Sequence, residues 1–393
     1  MRHQPSVRPA PSGSGSARVF GILSSFPPTA CGIATFSAAL SAGLVANGST
    51  VDVVRCGGTP EMEDPMVLAS LDDGTSSGLG AAIDVLNRAD VAIVQHEYGL
   101  YDGPDGDAVL AVLDGVVVPS IVVAHTVVHA PTANQRSVLE QVCDAADAVV
   151  VMTESARIRL TDGFDVDASK VLIIPHGAAT PLTAPLLASE RPTSRAPRLL
   201  TWGLLGPGKG IEWAIDAVAS LGDLSPRPTY VIAGATHPKV LAHSGEAYRK
   251  MLIEHAWSTG AAPWVTFDDT YRDLSALTEL ICSADLVVLP YDSEDQVTSG
   301  VLVDAVAAGR PVISTAFPHA VELLSTGAGV VVPQRDPMAL ADAIRTVLTD
   351  DELAAGMAAE ARRLAPDLSW NAVAGRYDQL AGRLLAARDP VSA

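Results

Sequence analysis

Lysine is scarce in this 393-residue chain: only four of its 26 basic residues are lysines, and 45 acidic residues leave a formal net charge of −19. That surplus opposes generic binding to nucleic acid or to an anionic lipid surface, while leaving room for a local basic patch and a peripheral membrane contact. Cysteine is equally rare. Cys31, Cys56, Cys143 and Cys282 lie far apart without a C-x-x-C pair, which excludes a zinc ribbon or redox motif and predicts reduced, structural thiols. No apolar run approaches the ~20 residues that cross a bilayer. The first seventeen residues, MRHQPSVRPAPSGSGSA, lack the apolar core of a signal peptide, so the expectation is a disordered tail on a cytoplasmic protein. No serine sits in a G-x-S-x-G elbow and no G-x-G-x-x-G occurs, which removes support for a hydrolase triad and for a dehydrogenase. The acidic runs Asp102 to Asp107, Asp268-Asp269 and Asp292 to Asp295 show no ligand spacing. Neither a metal site nor a cofactor is expected.

What is present is a repeated strand, loop and helix. Hydrophobic residues make up 48% of the chain, enough for two cores of roughly 150 to 200 residues each. Strands read at Val19 to Ser25, Val51 to Arg55, Val91 to Gln95, Ile121 to Ala124, Ala148 to Met152 and Val171 to Ile174, an alternation that predicts a doubly wound parallel sheet over residues 18–177. Ligands on such sheets sit beyond the strands' carboxyl ends. There the sequence places Cys31-Gly32, His96-Glu97, His125-Thr126, Thr153-Glu154 and His176-Gly177. Residues 178–197 carry four prolines and no apolar period, as a linker would.

A second sheet domain spans 198–368, with strands at Arg198 to Trp202, Tyr230 to Ala233, Trp264 to Phe267, Leu286 to Leu289, Val312 to Ser314 and Val330 to Val332. Its first loop, Gly203 to Gly210, holds Gly206 and Lys209. The spacing is not that of a P-loop, yet amides that approach closely and one ammonium suit a diphosphate. Beyond the strand Leu286 to Leu289, a loop containing Gln296 leads to a helix whose start, Thr298-Ser299-Gly300, offers cap residues and free amides for an anion. Asp304 follows about a turn and a half in. A last helix, Ser369 to Ala387, spaces Trp370, Val373, Tyr377, Leu380 and Leu384 along one face.

The stretch from Gln296 through Asp304 into A-V-A-A-G-R-P-V-I-S-T resembles the donor segment of the family-four glycosyltransferases. Gln296 and Asp304 stand where that family has two glutamates. P-P-x-x-C-G-I-A-T-F, Q-H-E-Y-G, A-H-T-V and I-I-P-H-G are similar to its amino-terminal loops, and the glycine loop to its G-R-x-x-x-x-K-G, with Leu204 in the arginine position. The resemblance implies a GT-B architecture: two Rossmann-like domains facing each other across a cleft, with the last helix, 369–387, crossing back to the first. It implies retaining, metal-independent transfer of a hexose from a nucleoside diphosphate sugar to an acceptor hydroxyl on a glycan, glycolipid or small molecule. By the same resemblance Gly32 approaches the donor phosphates, His125 lies near the transferred sugar, and His96 and Glu97 face the acceptor. Gly206, Lys209 and the 298 to 300 amides would hold the diphosphate, Asp304 the ribose, and Gln296 the sugar, with Glu322 at a further acidic position. The alternative is a catalytically degenerate nucleotide-sugar binding protein, because Leu204, Gln296 and Asp304 depart from the family pattern. An epimerase of the same architecture would need carboxylates at the sugar, and Gln296 speaks against it.

Overall fold

The computed structural model describes residues 17–29, 31–57, 64–71, 76–179, 195–270, 272–293 and 296–388. The expected tail and most of the expected linker lie outside them. The first sheet has seven parallel strands in the order β3-β2-β1-β4-β5-β6-β7: β1 (Val19–Ser24), β2 (Thr50–Cys56), β3 (Val67–Leu71), β4 (Val91–His96), β5 (Ser120–Ala124), β6 (Ala148–Val151) and β7 (Val171–Ile173). The second has six, also parallel, in the order β10-β9-β8-β11-β12-β13: β8 (Arg198–Trp202), β9 (Thr229–Ala233), β10 (Val265–Asp268), β11 (Leu286–Leu289), β12 (Val312–Thr315) and β13 (Gly329–Val332). Each strand order reverses beside the domain's first strand, so the switch point lies at the mouth of β1 and β4 in one domain and of β8 and β11 in the other.

Continuous apolar runs form the central strands because helices cover both faces of each sheet. All six residues of β4 are buried, with Val91, Ile93, Phe20 and Val53 facing one helical layer and Ala92, Val94, Val54 and Val122 the other. The expected strands are all present, within a residue or two at each end. β3 is an addition to them: VLASL has no buried position, since it pairs only with β2 at the sheet's edge.

The carboxyl-terminal helix, Trp370–Arg388, crosses back as expected. Its Val373, Ala374, Tyr377, Leu380 and Ala381 belong to the same apolar cluster as Phe20, Phe36 and Leu40 of the first domain. Asn47 donates to the Asn371 carbonyl at 2.9 Å, and Arg388 pairs with Asp147 at 3.0 Å, fixing both ends of the helix. Among the described residues, no helix is long and apolar enough to cross a membrane.

Candidate functional site

On the first domain's carboxyl edge the chemistry is carried by histidines that burial keeps neutral. His125 follows β5, and its Nε2 is 2.7 Å from Oε1 of Gln95, the penultimate residue of β4. A carbonyl oxygen can only accept, so the proton sits on Nε2 and Nδ1 keeps its lone pair. The Phe36 ring meets the imidazole edge-on, with centroids 4.9 Å apart. Burial, together with His176 and His96 nearby, pushes the His125 pKa down to about 3. Glu97 is fixed by the Thr126 hydroxyl and by the Tyr98 amide at 3.1 Å, and burial raises its pKa against the pull of those bonds and of Lys239. Gly32 opens the helix Gly32–Ala46, which Cys31 caps through Sγ; no described atom lies within 4 Å of the place a Cβ would take, so the backbone there is open to approach.

His96 departs from its expected place. Alternation along β4 turns it to the opposite face from Gln95, where it is 1% exposed beside the Tyr98 ring and neither ring nitrogen has a partner among the described residues. It lies beneath the loop of Glu97, closed off from the cleft where an acceptor is expected to meet it.

On the second domain's edge the chemistry is carried by glycines and a lysine. Gly210 ends the glycine loop at a φ of +59°, so close to the Pro290 carbonyl that a side chain would overlap it. The loop is thereby pinned to the segment leaving β11, and the Asp292 amide donates to the Gly208 carbonyl at 3.1 Å. Lys209 is half-buried rather than solvated: its ammonium stands 4.3 Å from the centroid of the Tyr291 ring, and burial lowers its pKa. Behind the loop is a recess of about 120 Å³ lined by Gly203, Leu204, Gly234, Thr270, Arg272 and Leu277, among others.

The helix Gly300–Ala307 begins at Ser299, whose Oγ accepts from the Leu302 amide. The Ser299 amide itself is spent: it donates to Nδ1 of His319 at 2.9 Å, which leaves Thr298 and Gly300 as the open positions of the expected anion site. Gln296 donates from Nε2 to the Thr298 carbonyl, and Thr298 Oγ1 is buried without a partner among the described residues. The Asp304 carboxyl has no hydrogen bond among them either, and burial pushes its pKa up to about 7.

Four contacts join the edges. Val297 from the loop after β11 sits in the first domain's core cluster, and its carbonyl accepts from Thr153 Oγ1 at 2.9 Å. The His176 ring lies over Gly300, close enough to forbid a side chain there, while its Nδ1 donates to the Gly177 carbonyl at 2.6 Å. The Lys239 ammonium covers Gly99 of the first domain in the same way. The fourth contact revises Glu322. Its carboxylate accepts from the Glu154 amide (2.8 Å), the Ser155 amide (2.9 Å) and the Ser155 hydroxyl (2.8 Å), capping the helix Glu154–Gly163 across the cleft. With both oxygens committed to that helix start, Glu322 is a strut between the domains and not a donor ligand.

Sequence reasoning misses His319 and Lys239 because each is brought to the cleft by tertiary packing. The available signal is a histidine or lysine beside Pro318 or Pro238 at a helix start. Among the described residues no group of three or more His, Cys, Asp or Glu side chains gathers to hold a metal.

Comparison with known proteins agrees with the donor-segment resemblance. Residues 196–350 match the family described as glycosyl transferases group 1. A protein named D-inositol 3-phosphate glycosyltransferase from Corynebacterium glutamicum is 30% identical over 264 residues, 64% of this chain and 60% of that protein. One of the same name from Kineococcus radiotolerans is 30% identical over 60% of this chain and 57% of its own length. The matched stretch thus spans about 60% of these relatives. Among solved structures, sucrose-phosphate synthase from Thermosynechococcus elongatus superposes with a TM-score of 0.72 at 20% identity, covering 94% of this chain and all of that one. Anabaena HepE in complex with UDP-glucose gives 0.71 at 15% identity, covering 93% and 100%. At such identities the structures establish the shared two-domain GT-B fold alone.

Proposed function

We propose that this chain, whose second half is a glycosyl transferases group 1 domain, moves a hexose from a nucleoside diphosphate sugar to an acceptor hydroxyl with retention of anomeric configuration and without a metal. The observation that carries the reading is the pairing across one cleft of an unpartnered carboxyl and open helix-start positions, Asp304, Thr298 and Gly300, with a neutral imidazole, His125. Lys209 and the helix start would hold the departing diphosphate, where charge builds in the transition state and where fixed dipoles and cations lower the barrier most. The recess behind the glycine loop has the size and apolar lining for a nucleobase. In that arrangement Leu204 becomes part of its wall, a role an arginine would not fill.

In the reaction the bond from the anomeric carbon to the β-phosphate oxygen breaks as the acceptor oxygen bonds from the same face, and the acceptor's proton passes to the departing phosphate. No protein group is needed as nucleophile. Gln296 is an amide and cannot attack, and His125, with a pKa of about 3, remains neutral and hydrogen-bonds the sugar through Nδ1. Glu97, fixed by Thr126, is the acceptor-side carboxylate.

An acceptor bearing phosphate is favoured by a first-domain recess of about 380 Å³ lined by His129, Arg136, Ser155 and Arg159, among others, and by the relatives named for D-inositol 3-phosphate. The test is proton NMR of products from α-linked UDP-, GDP- and ADP-hexoses with inositol phosphates, glycans and glycolipids as acceptors, in EDTA. Transfer giving an α-linked product is expected. A β-linked product overturns the mechanism, activity restored only by Mg²⁺ or Mn²⁺ overturns metal independence, and binding without transfer favours the degenerate binder.

A further inference from the structure

The basic residues of this acidic chain are not spread evenly, and one group stands at the cleft without ion-pair partners among the described residues. Val240 and His237 pack directly on the glycine loop: a Cβ on Gly206 would lie 3.1 Å from Val240 Cγ2 and 4.0 Å from His237 Cβ. The turn that carries His237 and Lys239 is therefore the neighbour of the loop that carries Lys209. His237 Nδ1 accepts from the Lys239 amide at 3.2 Å, which fixes the imidazole at the start of that turn. The Lys239 side chain runs the other way, into the cleft, until its ammonium covers Gly99. Among the described residues no hydrogen bond or close ion pair engages the ammonium of Lys209 or Lys239, and burial first, then both lysines, lower the pKa of His237. Lys239 also pulls on the pKa of Glu97, a carboxylate that already holds Thr126 and the Tyr98 amide. Two ammonium groups that both act on one imidazole repel each other unless an anion joins them.

We propose that Lys239 and His237 complete the diphosphate site with Lys209, Lys239 supplying from the turn after β9 the positive charge that Leu204 does not supply from the glycine loop, and His237 a neutral imidazole N–H donor. The inference rests on the reading of this cleft as a nucleoside diphosphate sugar site. It names two residues that the glycosyltransferase resemblance does not. Because Lys239 also touches Gly99, it is the one of the three that spans from the donor domain to the acceptor loop. Departure of the diphosphate then removes the anion that joins the two domains at this point.

The experiment is titration calorimetry of the full chain with UDP, GDP and ADP, and with the matching nucleosides, for the wild type, Lys239→Gln and Lys209→Ala. Lys239 is exposed and contributes no core packing, so Lys239→Gln folds as the wild type does. The expected result is tenfold or greater weakening of the preferred nucleoside diphosphate in Lys239→Gln, steeper at low salt, with nucleoside affinity unchanged. If Lys239→Gln binds the diphosphate as the wild type does while Lys209→Ala loses it, this inference is overturned and the proposed function stands. If only the acceptor KM rises in Lys239→Gln, Lys239 is an acceptor residue and the inference is again overturned. If the wild type binds none of the three diphosphates, both readings fall together.

Discussion

The two sheets of this protein present the same architectural feature, a row of parallel carboxyl ends at a switch point, and furnish it in opposite ways. On the first domain the row is closed and dry: Gln95, His125 and His176 hydrogen-bond one another or the backbone, and burial keeps the imidazoles neutral. On the second it is open and charged: a glycine loop, and, among the described residues, a lysine without an ion-pair partner and a carboxyl without a hydrogen bond. One side spends most of its polar groups on itself, and the other leaves its lysine and its carboxyl unspent among the described residues. A shared scaffold thus fixes where chemistry happens and leaves its kind to the loops.

The largest expected effect tests the dry side. His96, His125, His176 and His319 are depressed to about 4, 3, 4 and 3 respectively, from 6.5. Groups with lowered pKa give stability that is present above pH 6.5 and lost as pH falls toward the folded values, because the unfolded chain then binds more protons. Four such groups cost about 5 kcal/mol per pH unit, and Asp304, raised to about 7, returns about 1.4 kcal/mol per unit over the same window. Urea unfolding between pH 6.5 and 4.5 should therefore show stability falling by about 4 kcal/mol per unit, a large share of a typical total. His125→Gln should flatten that slope by about a third, and an unchanged slope would mean that His125 is not buried neutral.

The next effect tests the open side. Lys209→Ala should weaken nucleoside diphosphate binding by about 1.5 to 3 kcal/mol, the value of one charge-assisted hydrogen bond, with thermal unfolding of the free protein little changed. Calorimetry reads it. Unchanged affinity would make the second edge as self-contained as the first.

A smaller effect concerns the strut between the two. Glu322→Ala removes a carboxylate that accepts three hydrogen bonds at the start of the helix Glu154–Gly163. A loss of about 1 to 2 kcal/mol is expected, in line with other N-terminal helix caps. Small-angle scattering should show a larger radius of gyration without donor and recovery with it. An unchanged radius would show that the other contacts, Val297 in the first domain's core among them, hold the two edges together without it.

The contrast between the edges is only half legible in the sequence. Buried parallel strands announce themselves as apolar runs, so β1, β4, β5, β8 and β11 are readable, whereas β3 is not, since an edge strand needs no such run. Loop residues are readable by position after a strand, which singles out His125, Lys209, Gln296 and Asp304. Their orientation is not readable. His96 and Gln95 are neighbours on one strand that face opposite layers, and the length of the following loop does not say which faces the cleft. Nor can spacing show that an amide is already spent, as at Ser299, or that a carboxylate reaches across to the other domain, as Glu322 does.

The smallest effect sharpens the comparison most, because it has opposite signs with and without ligand. Asp304 has a folded pKa of about 7 against an ordinary 3.8, with burial as its cause. Stability from a group raised in this way is full below the unfolded value and is lost as pH rises through the folded one. At pH 8 the free protein therefore bears a buried charge, and Asp304→Asn relieves it. The full shift would correspond to about 4 kcal/mol, but the side chain is only half-buried, so a gain of about 1 to 2 kcal/mol, a few degrees in Tm, is expected. The gain should shrink as pH falls and vanish below about pH 3, where the carboxyl is neutral in both states. Saturating donor should reverse the order, since a ribose hydroxyl gives the wild-type carboxylate the hydrogen bond it lacks, and a ligand at 100 times its Kd adds about 2.7 kcal/mol to the form that binds it. Thermal scans at pH 8 with and without donor decide the matter. Equal melting temperatures in the free proteins would mean that Asp304 is already satisfied, and the second edge would then be a closed surface like the first.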